Sequence, residues 1–268
     1  MPRTVRVETE NLGNHWSFGR LRPRLHARTI SASLIDWNLV PLHDAEQAFP
    51  YDVRVSPNLE QHDQRRRTPR LAELRNHYFV MRHAQSRPNV EGLIVCRPPA
   101  GLDPVNGLTQ LGRAQARQHA QEWLAGRDGA PPIIVSSDFS RTAETADILA
   151  HVVGSGRVAL DARLRERDFG PYDGGPATAY DEIWAFDATG DTAPGVEPTD
   201  AVQARVLQLV GELESTHAGL DIVLVSHGDT SQITQATFAN LPTSEHRSLP
   251  HLGNAEIRAL NSAPADQR

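Results

Sequence analysis

The chain has 268 residues, 39% of them hydrophobic, with a net charge of −6 and a single cysteine. That length and composition suffice for one large domain with a substantial core, and a lone cysteine excludes an intrachain disulfide and fits a reducing compartment. All 27 basic residues are arginine, which excludes a Walker A loop and a lysine Schiff base, and the negative balance argues against nonspecific nucleic-acid binding.

Charge is uneven along the chain. Residues 1–77 hold 12 arginines against 9 acids, and residues 78–268 hold 15 arginines against 24 acids. This break places a boundary near residue 75. Residues 1–75 read as an N-terminal extension, with alternation at 28–37 and 51–55 that predicts short β-strands. Gln61–Arg70, with Arg65-Arg66-Arg67, reads as a solvated linker. Strands in the extension leave a homodimer open. The N-terminal arginines precede no hydrophobic segment, and no apolar run is long enough for a bilayer. The expectation is a cytoplasmic protein with no membrane or nucleic-acid partner.

From residue 77 onward the pattern alternates. His77-Tyr78-Phe79-Val80-Met81 predicts a buried strand that runs into Arg82-His83. Thr109 is a candidate N-cap for a helix reaching Ala125, stopped by Gly126, with Ala116, Ala120 and Leu124 facing inward. Ile133-Ile134-Val135 predicts a second strand, which leads through Ser136-Ser137 to a helix opened by Arg141. In that helix Ala146, Leu149, Ala150 and Val153 recur at core spacing, and Gly154 stops it. Residues 171–198 are rich in Gly, Pro and Asp and read as a partly helical cap, with Tyr180, Trp184 and Phe186 as its packing residues. Thr199 is a candidate cap for a helix carrying Val202, Val206, Leu209, Val210 and Leu213. Ile222-Val223-Leu224-Val225-Ser226 predicts a strand ending at His227-Gly228, after which a final helix begins.

Strands alternating with helices predict a three-layer α/β/α domain over residues 76–268, built on a mainly parallel sheet. Ligands of such sheets bind past the carboxyl ends of the strands. Three segments deliver Arg82, His83, Arg141 and His227 there. Two arginines and two histidines without metal-type spacing suit a phosphate group. Helix starts at Arg141 and Gly228 reinforce an anion site. Cys96 reads as a small apolar residue, and His119, His151, His217, His246 and His251 carry no ligand-type spacing. No metal and no cofactor are indicated.

Five ordered motifs carry a resemblance. They are Arg82-His83-Ala84-Gln85-Ser86 with Asn89; Leu108-Thr109-Gln110-Leu111-Gly112-Arg113-Ala114-Gln115-Ala116; Ser136-Ser137 through Arg141-Thr142-Ala143-Glu144-Thr145-Ala146; Leu164-Arg165-Glu166-Arg167-Asp168-Phe169-Gly170; and Val223-Leu224-Val225-Ser226-His227-Gly228. Over roughly residues 76–260 the chain resembles the histidine phosphatase superfamily and its phosphoglycerate mutase-like fold. The resemblance implies that His83 is the nucleophile, forming a phosphohistidine, and that Arg82 and Arg141 bind the phosphoryl oxygens. His227 would donate to a phosphoryl oxygen. Asn89 matches a position that often touches the phosphate, with turn capping as its other reading. Glu166 would be the general acid and base, against a rival reading as a salt bridge to Arg165 or Arg167; Glu144 is a weaker candidate. Ala84 stands where the family usually has glycine, and Gln85 where it often has glutamate.

The expected activity is hydrolysis of a small phosphomonoester. A phosphoglycerate mutase-type phosphotransferase and a non-catalytic phospho-ligand-binding protein are the alternatives. Residues 171–204 hold seven acids and no arginine. Such a cap should repel polyphosphates and favour a neutral or cationic leaving group.

Overall fold

A computed structural model describes residues 71–261. The extension, its two expected strands, the arginine-rich linker and any pairing of copies through them lie outside these residues. Within them the elements are β1 (His77–Arg82), α1 (Arg87–Glu91), α2 (Gln110–Ala125), β2 (Ile133–Ser136), α3 (Ser140–Val153), β3 (Ala159–Leu160), α4 (Tyr180–Ala188), α5 (Thr199–Thr216), β4 (Asp221–Ser226), α6 (Gly228–Phe238) and β5 (Ile257–Ala259).

The strands form one sheet in the order β3-β2-β4-β1-β5. All neighbours are parallel except β1 and β5, which run antiparallel. The expected mainly parallel sheet is therefore present. Its central strands are buried on both faces, so they read as continuous apolar runs. In β4, Val223 and Val225 pack with Ala146, Leu149 and Val153 of α3 and with Ala116 and Ala120 of α2. Ile222 and Leu224 point the other way, to Val206, Leu209 and Val210 of α5. The period-two side-chain alternation thus builds two cores, one on each side of the sheet.

Local signals set most helix ends. Thr109 Oγ1 accepts from the Gly112 N–H at 2.9 Å, and α2 ends at Gly126. Gly154 closes α3 in the left-handed region, with φ +69°. Two expectations need correction. Leu124 is exposed, and Trp123 takes the inward place, packing edge-on against Phe79 at 5.2 Å. Spacings of three and four alternate on a helix face, and the turn after Ala120 takes the shorter one. Thr199 is not a cap but the first residue of α5, preceded by Pro198; its hydroxyl instead meets Thr243 Oγ1 at 3.0 Å.

Residues 171–198 contain α4 and short 3-10 turns. Ile183, Ala193 and Val196 share a small separate core with Phe169, Ile94 and Cys96. The segment is therefore a packed cap, and Tyr180 contributes to it by meeting Phe169 edge-on. Phe186 is exposed. Among the described residues no helix is long and apolar enough to cross a membrane.

Candidate active site

β1 and β4 are adjacent and parallel, with Arg82 opposite Ser226. His83 and His227, one residue beyond each strand, therefore leave the sheet at the same level. The His83 N–H donates to Ser226 O at 2.9 Å, and the two imidazole centroids lie 5.3 Å apart. Both rings are buried.

The loop after His83 is held on three sides. Thr145 Oγ1 accepts from the Ala84 N–H, Gln115 Oε1 accepts from the Gln85 N–H, and Thr109 Oγ1 donates to Gln85 Oε1. Gly112 is required there, because a Cβ would collide with the Gln85 carbonyl oxygen. Ala84 needs no glycine: its φ is not positive, and its methyl is fully buried in the core.

His83 Nδ1 lies 2.7 Å from the Ala84 carbonyl oxygen. A carbonyl only accepts, so Nδ1 carries the proton and Nε2 presents its lone pair. Arg141, in the first turn of α3, donates its Nε–H to that Nε2 at 3.2 Å. Burial, reinforced by the charges of Arg141 and Arg82, pulls the His83 pKa well below 6.5. The ring is thus neutral, and its Nε2 lone pair is the one that accepts from Arg141.

His227 Nε2 meets Ser137 Oγ at 2.9 Å, while Ser137 Oγ also accepts from the Phe139 N–H. In the tautomer whose Nε2 accepts the serine proton, His227 carries its own proton on Nδ1, an atom with no protein partner. Burial and the Arg141 charge pull this pKa well below 6.5 too.

Both histidines then give a stability signature. Each has a folded pKa depressed below its unfolded value. The neutral native form is unpenalised above pH 6.5, and stability is lost as pH falls below it, because the unfolded chain takes up protons that the native site refuses. Urea unfolding between pH 6.5 and 5 should lose stability with a slope of up to about 1.4 kcal/mol per pH unit for each ring. His227→Gln should flatten that slope by one proton. An unchanged slope in both His227→Gln and His83→Gln would contradict neutral burial.

Glu166 is 8% exposed and makes no salt bridge to Arg165 or Arg167. Arg165 pairs with Asp138, and Arg167 turns inward to Asp187 and Asp229. Glu166 Oε1 accepts from the N–H groups of Thr230 and Arg167, at 3.1 and 3.0 Å. Oε2 is on the side of Arg82: a Cβ on Gly228 would sit 3.7 Å from Glu166 Oε2, from Arg82 Nε and from Arg82 Nη2. Burial and the nearby Asp229 charge raise the Glu166 pKa. Arg205 fixes this segment from outside, donating to the carbonyls of Arg163, Arg165 and Glu166.

Arg82 donates through Nη1 to His251 Nε2 at 2.7 Å and to Leu252 O at 3.1 Å. Arg141 donates through Nη2 to Val95 O at 2.8 Å. Arg82 Nε, Arg141 Nη1 and His227 Nδ1 are buried and have no protein partner. Buried polar atoms are rarely left so. Arg141 reaches His83 Nε2, the His227 ring lies 5.3 Å from that of His83, and Arg82 Nε faces Gly228, the residue after His227; three unpartnered atoms on residues grouped around His83 make a socket that suits a tetrahedral oxyanion.

Asn89 is linked to His83 through Asn254, whose Nδ2 donates to His83 O at 3.1 Å and to Asn89 Oδ1 at 3.4 Å. It is exposed, and its Oδ1 accepts from both the N–H and the hydroxyl of Ser86, capping α1. Glu144 is held by the Leu108 N–H and by Arg113, a packing role. Sequence reasoning missed three residues, His246, His251 and Asp229. His246 and His251 are not bystanders: His251 binds Arg82, and His246 Nε2 lies 3.4 Å from Asp229 Oδ1. Asp229 also accepts from Trp184 Nε1 at 2.9 Å. The Asp229 carboxylate in the first turn of α6 was visible as His-Gly-Asp; the partners, from distant segments, were not.

Asp187, Asp229 and His246 bring three potential ligand atoms within 4.8 Å of one another. The sequence spacing did not anticipate this cluster. Its centre is already taken by a cation, since Arg167 donates to Asp187 at 2.6 and 2.8 Å and to Asp229 at 3.1 Å. A cavity of about 540 Å³ lies beside Glu166, lined also by Arg97, Arg165 and Arg205. Each of those arginines is paired with a carboxylate, so its charge is balanced, unlike that of the socket.

Comparison with known proteins agrees with this geometry. Residues 78–268 match the family model for the histidine phosphatase superfamily, branch 1. A putative phosphoserine phosphatase 2 from Hydrogenobacter thermophilus is 31% identical over 190 residues, covering 68% of this chain and 88% of that protein. A probable phosphoglycerate mutase GpmB from Salmonella paratyphi C is 28% identical, covering 68% and 83%. The structure of a mycobacterial glucosyl-3-phosphoglycerate phosphatase complexed with VO3 superposes with a TM-score of 0.57 at 32% identity, over 68% of this chain and 90% of that one. With sheet, motifs and socket in register, the chain belongs to the histidine phosphatase superfamily.

Proposed function

We propose that this protein is a phosphatase that hydrolyses a small phosphomonoester through a phosphohistidine on His83. The observation that carries this reading is the set of buried, unpartnered atoms of Arg82, Arg141 and His227 grouped around His83. In the first step His83 Nε2 attacks phosphorus, the ester P–O bond breaks, and Glu166 gives its proton to the departing oxygen. In the second, water attacks the phosphohistidine. Glu166 takes the water proton, the P–N bond breaks, its electron pair returns to Nε2, and inorganic phosphate leaves. Arg82, Arg141 and His227 hold the equatorial oxygens as charge redistributes. The relatives named as phosphatases support hydrolysis. No step of this reading uses a metal, and the guanidinium of Arg167 stands where, among the described residues, the cluster of Asp187, Asp229 and His246 would hold an ion. Asn89 acts here as a cap for α1.

Release of inorganic phosphate, set against isomerisation of phosphoglycerate, tests the activity; efficient isomerisation with negligible release would favour the mutase. Glu166→Gln tests the proton step. It should lower kcat/KM, which reports the steps up to departure of the leaving group, by about 10²–10⁴-fold on alkyl phosphates, and much less on p-nitrophenyl phosphate, whose leaving group needs no proton. Equal losses on both substrates would remove Glu166 from the acid role.

A further inference from the structure

Four of the seven acids of residues 171–204 are held by partners within the fold rather than displayed as free charge. Asp187 is neutralised by Arg167, Glu197 by Arg205, Asp173 accepts from the Cys96 N–H, and Asp200 accepts from Thr243. A positive charge stands beside the cap instead. Arg247, in the 3-10 segment Thr243–Ser248, lies over Trp184, with its guanidinium carbon 3.7 Å from the ring centroid. Among the described residues no carboxylate pairs with it.

The platform beneath Arg247 is held by two contacts. Trp184 is tied by its Nε1–H to Asp229 and stacked on Tyr180, with centroids 5.2 Å apart and planes 7° from parallel. Asp229 follows Gly228, which faces both Arg82 and Glu166. The platform therefore begins at the rim of the phosphoryl socket. His251 is at the same rim. Arginine can only donate, so the 2.7 Å contact from Arg82 Nη1 requires an unprotonated His251 Nε2, with the proton on Nδ1. The exposed His251 ring is thus a neutral donor.

We infer that Arg247, seated on Trp184 and flanked by His251, is a second anion subsite that reads a carboxylate on the leaving group of the substrate. This rests on the phosphatase reading above. The charge count selects the ligand class. One guanidinium and one neutral N–H match a planar monoanion. A second phosphate dianion would be left half-neutralised, with Asp181 and Glu182 exposed on the same helix as Trp184. This reverses the expectation of a neutral or cationic leaving group.

Two substrate pairs that differ at the carboxylate test it: O-phosphoserine against O-phosphoethanolamine, and 3-phosphoglycerate against glycerol 3-phosphate. The ratio of kcat/KM within each pair should favour the carboxylated member by roughly 10- to 100-fold. Arg247→Met should bring both ratios close to one, and Arg247→Lys should keep part of them. Equilibrium binding of the same ligands to His83→Ala protein should show the same ratios without turnover. Ratios near one in the wild type, or ratios that survive Arg247→Met, would overturn the subsite. So would a 2,3-bisphosphoglycerate preference that depends on Arg247, by assigning a phosphate there. Hydrolysis of p-nitrophenyl phosphate without discrimination sinks the subsite alone. If p-nitrophenyl phosphate and all four ligands are neither hydrolysed nor bound, the phosphatase reading fails with it.

Discussion

His83→Ala should reduce phosphate release by at least about 10⁴-fold, because it removes the atom to which the phosphoryl group is transferred rather than a group that assists. The socket donors of Arg82, Arg141 and His227 would remain, so substrate binding should weaken far less than turnover. Arg141 would lose an acceptor for its Nε–H, leaving a second unpartnered donor on that side chain. The fold should hold, since the loop is fixed by Thr145, Gln115 and Thr109 rather than by the imidazole. Single-turnover release of inorganic phosphate, with a thermal melt as control, checks both halves. A folded variant that keeps a tenth of wild-type turnover would place the nucleophile elsewhere.

The second large effect concerns stability. Arg167 is fully buried and bridges Asp187 on α4, Asp229 on α6 and the Glu197 carbonyl. It is also the residue after Glu166. Arg167→Met would leave two buried carboxylates without their cation. Breaking such a pair costs about 3–5 kcal/mol, which for a domain of this size lowers Tm by about 6–20 °C. Arg167→Met combined with Asp187→Leu and Asp229→Asn should recover most of that loss, because the penalty comes from unpaired charge and not from lost packing. Thermal and urea unfolding of the single and triple variants decide it. A single variant that melts with the wild type would mean that the network contributes no net stability.

Much of this architecture could be read locally. The strand runs before His83 and His227 are continuous because both faces of β1 and β4 are covered, and the caps of α2 and α3 are set by Thr109, Gly126 and Gly154. What escaped the sequence was long-range. Thr199 has the right side chain for a cap, but its partner is Thr243, 44 residues away. The acids of the cap look like free charge until Arg167 and Arg205 are seen against them. His246, His251 and Arg247 come from a segment with no motif, and only the fold brings them to Asp229, Arg82 and Trp184. Glu166 was legible as an acid in its motif, but its burial against the Thr230 N–H, and so its raised pKa, was not.

Rapid-quench labelling with a ³²P-phosphomonoester goes straight to the transfer of the phosphoryl group to one imidazole. An acid-labile, base-stable label should appear on the peptide carrying His83 within a single turnover, approach one per chain in Glu166→Gln if dephosphorylation is slowed, and be absent from His83→Ala. Steady release of phosphate with no label on His83 at any time point, or label on a different residue, would contradict it.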